Sequence, residues 1–144
     1  MLYSFDSGKY VDTLPHKREY DAWRKRLNDS DFNAICEELM RHFNQNEVNT
    51  SSWIPGNDWT GSVYEPIYHA CSDNAKSAGL FFGLIVFKML MNSDDGVWGF
   101  GRYEKDSIPI KGITYFIVNN PSQNESLIKY ERVSPRKLKV LNNI

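Results

Sequence analysis

Residues 72–92 read SDNAKSAGLFFGLIVFKMLMN, and this stretch decides the fold. Its polar start, Ser72, Asp73 and Asn74, offers side-chain oxygens that can cap the free amides at a helix N-terminus. The apolar residues that follow cover nearly every side of a helix. A helix without a polar face has to be surrounded by other elements. We therefore predict a buried central helix over this stretch.

Two other interpretations of this stretch are less favoured. The run is interrupted by Lys88 and is too short for a membrane span, which takes about 20 mostly apolar residues. A buried strand also fits a continuous apolar run, but the length, the capping signal and the Leu and Met content favour a helix. Ala75, Gly79 and Gly83 recur every fourth residue. Such a stripe of small residues predicts tight packing against another backbone.

The composition bounds the class of protein. A chain of 144 residues with 41% hydrophobic, 14% aromatic and 24% charged residues is long enough for a real core and is not a disordered chain. We expect one globular domain over residues 1–144. Its net charge of -1 gives no overall attraction to nucleic acid or to an acidic membrane. Two cysteines do not make a disulfide framework, and no signal-peptide pattern is evident, so a cytoplasmic location is expected.

Two amphipathic helices are predicted before the central one. Tyr20, Trp23 and Leu27 fall at i, i+3 and i+7 on a charged background. Residues 30–45 have the clearest helical period in the chain, carried by Phe32, Ile35, Cys36, Leu39, Met40 and Phe43. We predict that residues 16–45 form an antiparallel helical hairpin that packs on the central helix.

The hydrophobic period changes to two after residue 92. Residues 97–103 alternate between two faces, residues 104–110 suit a hairpin connection, and residues 113–118 are apolar on both faces. A third strand is expected over 127–133. The predicted class is α+β: an N-terminal helical hairpin and a buried central helix packed on a C-terminal antiparallel β-meander of about three strands. The predicted core includes Ile35, Leu39, Phe82, Ile85, Val86, Trp98 and Phe116.

Two smaller features complete the expected sheet. Tyr3 and Phe5 alternate with polar neighbours, which is typical of a short edge strand. Gly99 and Gly101 interrupt an otherwise aromatic strand. Glycines at such positions indicate that another group packs closely on that face of the sheet.

The stretch most suited to a functional site is residues 53–69, WIPGNDWTGSVYEPIYH. Loops on a rigid scaffold concentrate binding residues, and large aromatics in a loop need a reason because exposing them is costly. Asp58 is expected to order the loop by accepting a hydrogen bond from the Thr60 or Gly61 amide. The competing interpretation is that the aromatics only fold the loop onto the central helix. The expected binding residues are Trp53, Asp58, Trp59, Thr60, Tyr64 and His69.

The sequence alone does not identify a function, and two hypotheses stay open. The first is a small cytoplasmic binding or regulatory module that contacts a protein partner or a second copy through residues 53–69, since Trp and Tyr are favoured at binding hot spots. The alternative is a small hydrolase that takes a small molecule at the same loop, with His69 as base and Asp58 or Glu65 assisting. No metal or cofactor is expected, because His and Cys lack ligand spacing and no phosphate-binding glycine loop is present.

Two segments are locally basic, residues 17–26 and residues 129–139. Adjoining in space, they would form a patch able to meet phosphates. An ordinary solvated face explains such runs equally well, and the total charge is nearly neutral. We therefore expect no nucleic-acid partner and no membrane association.

Overall fold

The computed structural model describes residues 1–94, 96–118 and 131–133. These residues mix helix and sheet, which agrees with the α+β class. The helices are α1 (Lys17–Lys25), α2 (Asp29–Gln45), α3 (Glu65–Ala70) and α4 (Ala75–Met91), with one 3-10 turn at Ser51–Trp53. The strands are β1 (Leu2–Ser4), β2 (Lys9–Val11), β3 (Val48–Thr50), β4 (Val97–Gly101), β5 (Tyr103–Lys105), β6 (Ile108–Pro109), β7 (Thr114–Val118) and β8 (Glu131–Arg132).

The predicted central helix is α4. Its cap is Asn74, whose side-chain oxygen accepts a hydrogen bond from the Ser77 amide at 2.9 Å. The apolar residues of α4 form the centre of the larger hydrophobic core, and none of the helices in the described part of the chain is long and apolar enough to cross a membrane. Every residue of the predicted core is buried: Ile35, Leu39, Phe82, Ile85, Val86, Trp98 and Phe116.

The prediction of tight packing along the small-residue stripe is wrong. Ala75 and Gly79 are exposed, and Gly83 is half-buried. A Cβ built on Gly79 or Gly83 has no heavy atom within 4 Å from the described residues outside its own stretch of helix backbone. Leu80, on the same half of the helix, is 39% exposed. Among the described residues, the other elements therefore surround α4 incompletely, and one side of the N-terminal half of the helix is not covered by them.

The arrangement of the first two helices differs from the predicted antiparallel hairpin. Two strands precede them, and α1 packs on α4, where the rings of Tyr20 and Trp23 each lie 5.7 Å from the ring of Phe81. The two helices meet at their junction, where the Arg24 guanidinium lies 3.9 Å from the centroid of the Phe32 ring. The aromatic side of α1 therefore packs on the central helix, and α4 rather than α2 is the main neighbour of α1.

The sheet also differs from a three-strand C-terminal meander. Five strands pair in the order β2-β1-β4-β7-β3, and β1 lies inside the sheet, parallel to β4, so the edge position expected for it is wrong. β4 and β7 pair antiparallel as predicted. The third expected strand is present as β8, but it pairs with β5 in a second sheet of order β6-β5-β8. Residues 127–130 lie outside the described residues.

The five-stranded sheet separates two hydrophobic clusters. Trp98 and Tyr115 face the helices, whereas Phe116 and Val118 belong to a smaller cluster with Tyr103 on the opposite face. The prediction of close packing at the strand glycines is confirmed, because a Cβ on Gly99 would collide with the ring of Phe5, and one on Gly101 would lie 3.1 Å from the ring of Tyr103.

Candidate functional site

The 53–69 loop begins on a turn that is hydrogen-bonded to the residues just before β7, next to the edge strand β3. The Ser51 amide donates to the Ile113 carbonyl at 2.9 Å, and the Ile113 amide donates back to the Ser51 hydroxyl at 3.3 Å. The Ser52 hydroxyl donates to the Lys111 carbonyl. These bonds fix the 3-10 turn that carries Trp53, so the indole is presented from an anchored backbone.

The four large aromatics of the loop have different environments. Trp53 is 57% exposed, Trp59 and Tyr68 are half-buried, and Tyr64 is 6% exposed. Tyr64 therefore belongs to the core, and it is not available to a partner in this conformation. Trp53 is the loop aromatic with a large accessible surface.

Trp59 and Tyr64 fold the loop onto the central helix. Both rings pack on Phe82 of α4, with centroid distances of 5.8 Å from Trp59 and 5.3 Å from Tyr64. The Trp59 indole N–H donates to the Gly56 carbonyl at 3.0 Å. Burial raises the pKa of Tyr64 to about 12, because the phenolate would lose its hydration. Trp59 and Tyr64 therefore fit the competing interpretation, in which the aromatics fold the loop onto the central helix.

Asp58 orders the loop as predicted. Its Oδ1 accepts a hydrogen bond from the Thr60 amide at 3.0 Å, and this bond, with a second one from the Thr60 side chain, lowers the pKa of the carboxyl group. Both residues are exposed. Within the described residues Asp58 forms no hydrogen bond or ion pair with Glu65 or His69, so its carboxylate acts on the local backbone.

His69 lies between two carboxylates, and only one of them was expected. Its Nε2 is 3.9 Å from Oε1 of Glu65, one turn earlier on α3, and its Nδ1 is 2.7 Å from Oδ1 of Asp73. Asp73 reaches His69 because Ser72 and Asp73 both adopt positive φ angles, which turns the chain back at the end of α3. The i, i+4 spacing of His69 and Asp73 was the available signal. Sequence reasoning used Asp73 only as a helix cap.

The chemistry open to His69 follows from these contacts. A histidine that donates its Nδ1 proton to a carboxylate keeps Nε2 as the acceptor, which is the orientation of a general base. The thiol nearest in sequence, Cys71, is 3% exposed, and burial raises its pKa to about 11. A buried protonated thiol is not a nucleophile. The arrangement therefore holds an exposed imidazole between two carboxylates, without a neighbouring thiolate.

A cleft of about 640 Å³ opens elsewhere, between α1, α2 and α4. None of its lining residues comes from the 53–69 loop, and sequence reasoning did not identify it. The signal that could have indicated it is Lys88, the one charged residue within the apolar run of residues 80–91. This helix cleft is lined by Tyr20, Asp21, Arg24, Lys25, Phe32, Cys36, Ile85, Lys88, Met89 and Asn92.

Within residues 1–94, 96–118 and 131–133, no three His, Cys, Asp or Glu side chains converge in a way suited to hold a metal ion. Comparison of the chain with protein-family models, with curated proteins and with solved structures finds no match.

Proposed function

We propose that this protein is a small binding module that acts through protein contact at the surface around Trp53. The observation that supports the proposal is the 57% exposure of this indole on an anchored turn. Tryptophan is among the residues that carry most of the energy of protein interfaces. Its large apolar area is costly to leave in water, and a partner that covers it recovers that free energy.

The anchoring of the turn bears on affinity as well as on position. Binding by a flexible loop loses free energy to the ordering of the loop, whereas a loop held by its own hydrogen bonds avoids most of that cost. The Ser51 and Ser52 bonds hold the turn on the sheet side, and the turn also contacts α4. Asp58 orders the next part of the loop in the same way. Trp53 is thus a preorganised anchor for a protein partner or for a second copy of the chain.

The test compares two equally exposed aromatics on opposite parts of the fold. A photo-crosslinking amino acid is placed at Trp53 in one variant and at Tyr10, which is 55% exposed, in the other. Both are expressed in cells that contain the natural partners, and the adducts are identified by mass spectrometry. We expect one discrete adduct from position 53 that is missing from position 10. Equal adduct patterns from the two positions would contradict the proposal.

Self-association is measured separately. Sedimentation velocity over a range of concentrations compares the wild type with Trp53→Ala and with Tyr10→Ala. If the partner is a second copy, the Trp53 variant alone loses the dimer. If the wild type is monomeric throughout, the adduct from position 53 has to contain another protein.

The contact between His69 and Asp73 favours a second candidate, a small hydrolase with His69 as general base. Its support is the 2.7 Å distance that orients the imidazole. A panel of chromogenic esters, amides and glycosides tests it with wild type, His69→Ala and Trp53→Ala. Turnover lost in the His69 variant and kept in the Trp53 variant would favour the hydrolase. Turnover unaffected by His69→Ala would exclude it.

A further inference from the structure

We propose that the helix cleft binds a small amphipathic carboxylate, with the apolar body on the cleft floor and the carboxylate at its lysines. This site is separate from the Trp53 surface and does not depend on the function proposed for it. The volume of about 640 Å³ falls within the range of roughly 300–1,000 Å³ that is usual for small-molecule sites.

The floor of the helix cleft is apolar. Tyr20 and Ile85 are buried, and Phe32, Cys36 and Met89 are half-buried around them. These five side chains come from three different helices, each held by the main core. A hydrocarbon chain or an aromatic ring laid on this floor would be removed from water on several sides at once.

Two of the three cations of the helix cleft lie against its apolar walls. The Arg24 guanidinium is 3.9 Å from the centroid of the Phe32 ring, and the Lys88 ammonium is 4.8 Å from the centroid of the Tyr20 ring. A charge held over an aromatic face, with apolar groups beside it, is less hydrated than one that extends into solvent. A carboxylate that enters between these walls meets partly desolvated positive charge, where electrostatic attraction is stronger than in bulk water.

Existing ion pairs decide which cations are available. Arg24 is already paired with Asp29 at 2.8 Å. Asp21, the carboxylate of the lining, is paired with Lys17 at 2.7 Å. Lys25 and Lys88 form no ion pair within the described part of the chain. The pKa of the Asp21 carboxyl group is lowered first by its hydrogen bond from Lys17 and also by the nearby charges of Lys88 and Lys25. An incoming anion would therefore share these two lysines with Asp21.

The balance of charge and apolar surface selects the class of ligand. Three cations and one carboxylate line the helix cleft, so a cationic ligand is disfavoured. Lysines act as point charges and lack the fork of paired arginines that recognises phosphate in two places. The apolar floor favours a ligand with a hydrocarbon body, and nucleic acid has no such body. A monocarboxylate with an aliphatic or aromatic body is anionic, does not require paired arginines, and places hydrocarbon on the apolar floor.

The protein carries its own reporter of occupancy. The Cys36 thiol lines the helix cleft and is half-buried, whereas Cys71 is 3% exposed in the core. Thiol alkylation of the folded protein should therefore modify Cys36 first, and a bound ligand should protect it. Mass spectrometry identifies the labelled cysteine. Cys36→Ser is the control variant in which this labelling should disappear.

The experiment uses three probes that share one chain and differ in charge: octanoate, octanol and octylammonium. Concentrations are kept below those at which the buried Cys71 becomes labelled. We expect octanoate to slow Cys36 labelling at concentrations about tenfold lower than octanol, since one contact to a charged group has about that value. Octylammonium should protect less than octanol. Equal protection by the three probes, or no protection by octanoate, would overturn the proposal.

Substitutions then locate the charge. Lys88→Gln is compared with Lys76→Gln, a lysine on the exposed start of the same helix that does not line the helix cleft. Lys25→Gln is a second cleft variant whose exposed position makes a folding defect a minor concern. Direct binding by calorimetry should show octanoate affinity lowered about tenfold by either cleft substitution and unchanged by Lys76→Gln. Equal effects of the Lys76 and cleft variants would refute the assignment of the lysines.

Discussion

The ring of Tyr64 stands edge-on to the ring of Phe82, with the two planes at 89° and their centroids 5.3 Å apart. Edge-to-face packing of this kind is a favoured aromatic geometry. Since Trp59 also packs on Phe82, a single side chain of the central helix holds the middle of the 53–69 loop. The loop is therefore part of the core where it meets α4 and a surface element only at its start, around Trp53.

Removal of the Phe82 ring should unfold the loop and weaken the core together. Phe82→Ala is expected to lower the free energy of unfolding by about 3–5 kcal/mol, because it leaves a cavity among buried aromatics. Leu80→Ala, at a position 39% exposed, is the control and should cost about 1 kcal/mol or less. Urea unfolding followed by tryptophan fluorescence measures both. Equal costs for the two variants would show that Phe82 is not the central contact.

Two glycines should respond to alanine with opposite signs. Gly79→Ala, in a helix and with open space at the Cβ position, should raise stability by about 0.5–1 kcal/mol through better helix propensity. Gly99→Ala should lower it by about 1–3 kcal/mol, because the methyl group meets the Phe5 ring and lies 3.1 Å from Val118 Cγ1. Thermal unfolding of both variants measures the difference. A loss of stability in Gly79→Ala would mean that α4 is covered there.

The order of the loop should depend on the charge of Asp58. Hydrogen bonds from Thr60 lower the pKa of this carboxyl group below its unfolded value, so their stabilisation is present above about pH 4 and is lost as pH falls through the folded pKa. Hydrogen exchange at the Thr60 amide should therefore be protected near neutral pH. Asp58→Ala should abolish that protection, and Asp58→Asn should retain part of it without the pH dependence. Protection unchanged in Asp58→Ala would contradict the assignment.

Alkaline pH should destabilise the fold through its buried phenols. The pKa of Tyr64 is raised to about 12, so its contribution is fully present below pH 10 and is lost as pH rises from 10 through about 12. Burial raises the pKa values of Tyr20 and Tyr115 in the same direction. Tyr64→Phe keeps the ring on Phe82 and removes one of these titrations, so the melting temperature should fall less steeply over that range. A decline as steep as in the wild type would argue against a buried Tyr64 hydroxyl.

The helices and the main hairpin could be predicted because their signals are local. A helical apolar period locates α2 and α4, with a capping signal at the start of α4, and a change to a period of two locates β4 and β7. The position of β1 inside the sheet could not be predicted, because the sequence of its three residues does not indicate which distant strand they pair with. For the same reason the pairing of β8 with β5 was not foreseen.

The two sets of glycines show the limit of local patterns most clearly. Gly99 and the stripe of Gly79 and Gly83 led to the same expectation of close packing, yet only Gly99 has a neighbour against it. What distinguishes them is which elements reach each position, and that depends on the whole topology. In the loop, the hydrogen bond accepted by Asp58 could be predicted from the local sequence. Which aromatic is exposed, Trp53, and which is buried, Tyr64, could not, because that depends on where Phe82 lies.

The parallel pairing of Leu2 with Trp98 has a consequence for how the chain folds during synthesis. β1 is synthesised before its inner neighbour β4, which follows some 90 residues later in the chain, and this delay is roughly 5–20 s at usual elongation rates. The β1–β2 hairpin is too small to be stable by itself in that interval. The helices can form in the meantime, and the sheet closes only once β4 and β7 have been synthesised. The high contact order of this closure makes it the slow step, and nascent chains that do not yet contain β7 expose an unfinished sheet to proteases and to aggregation.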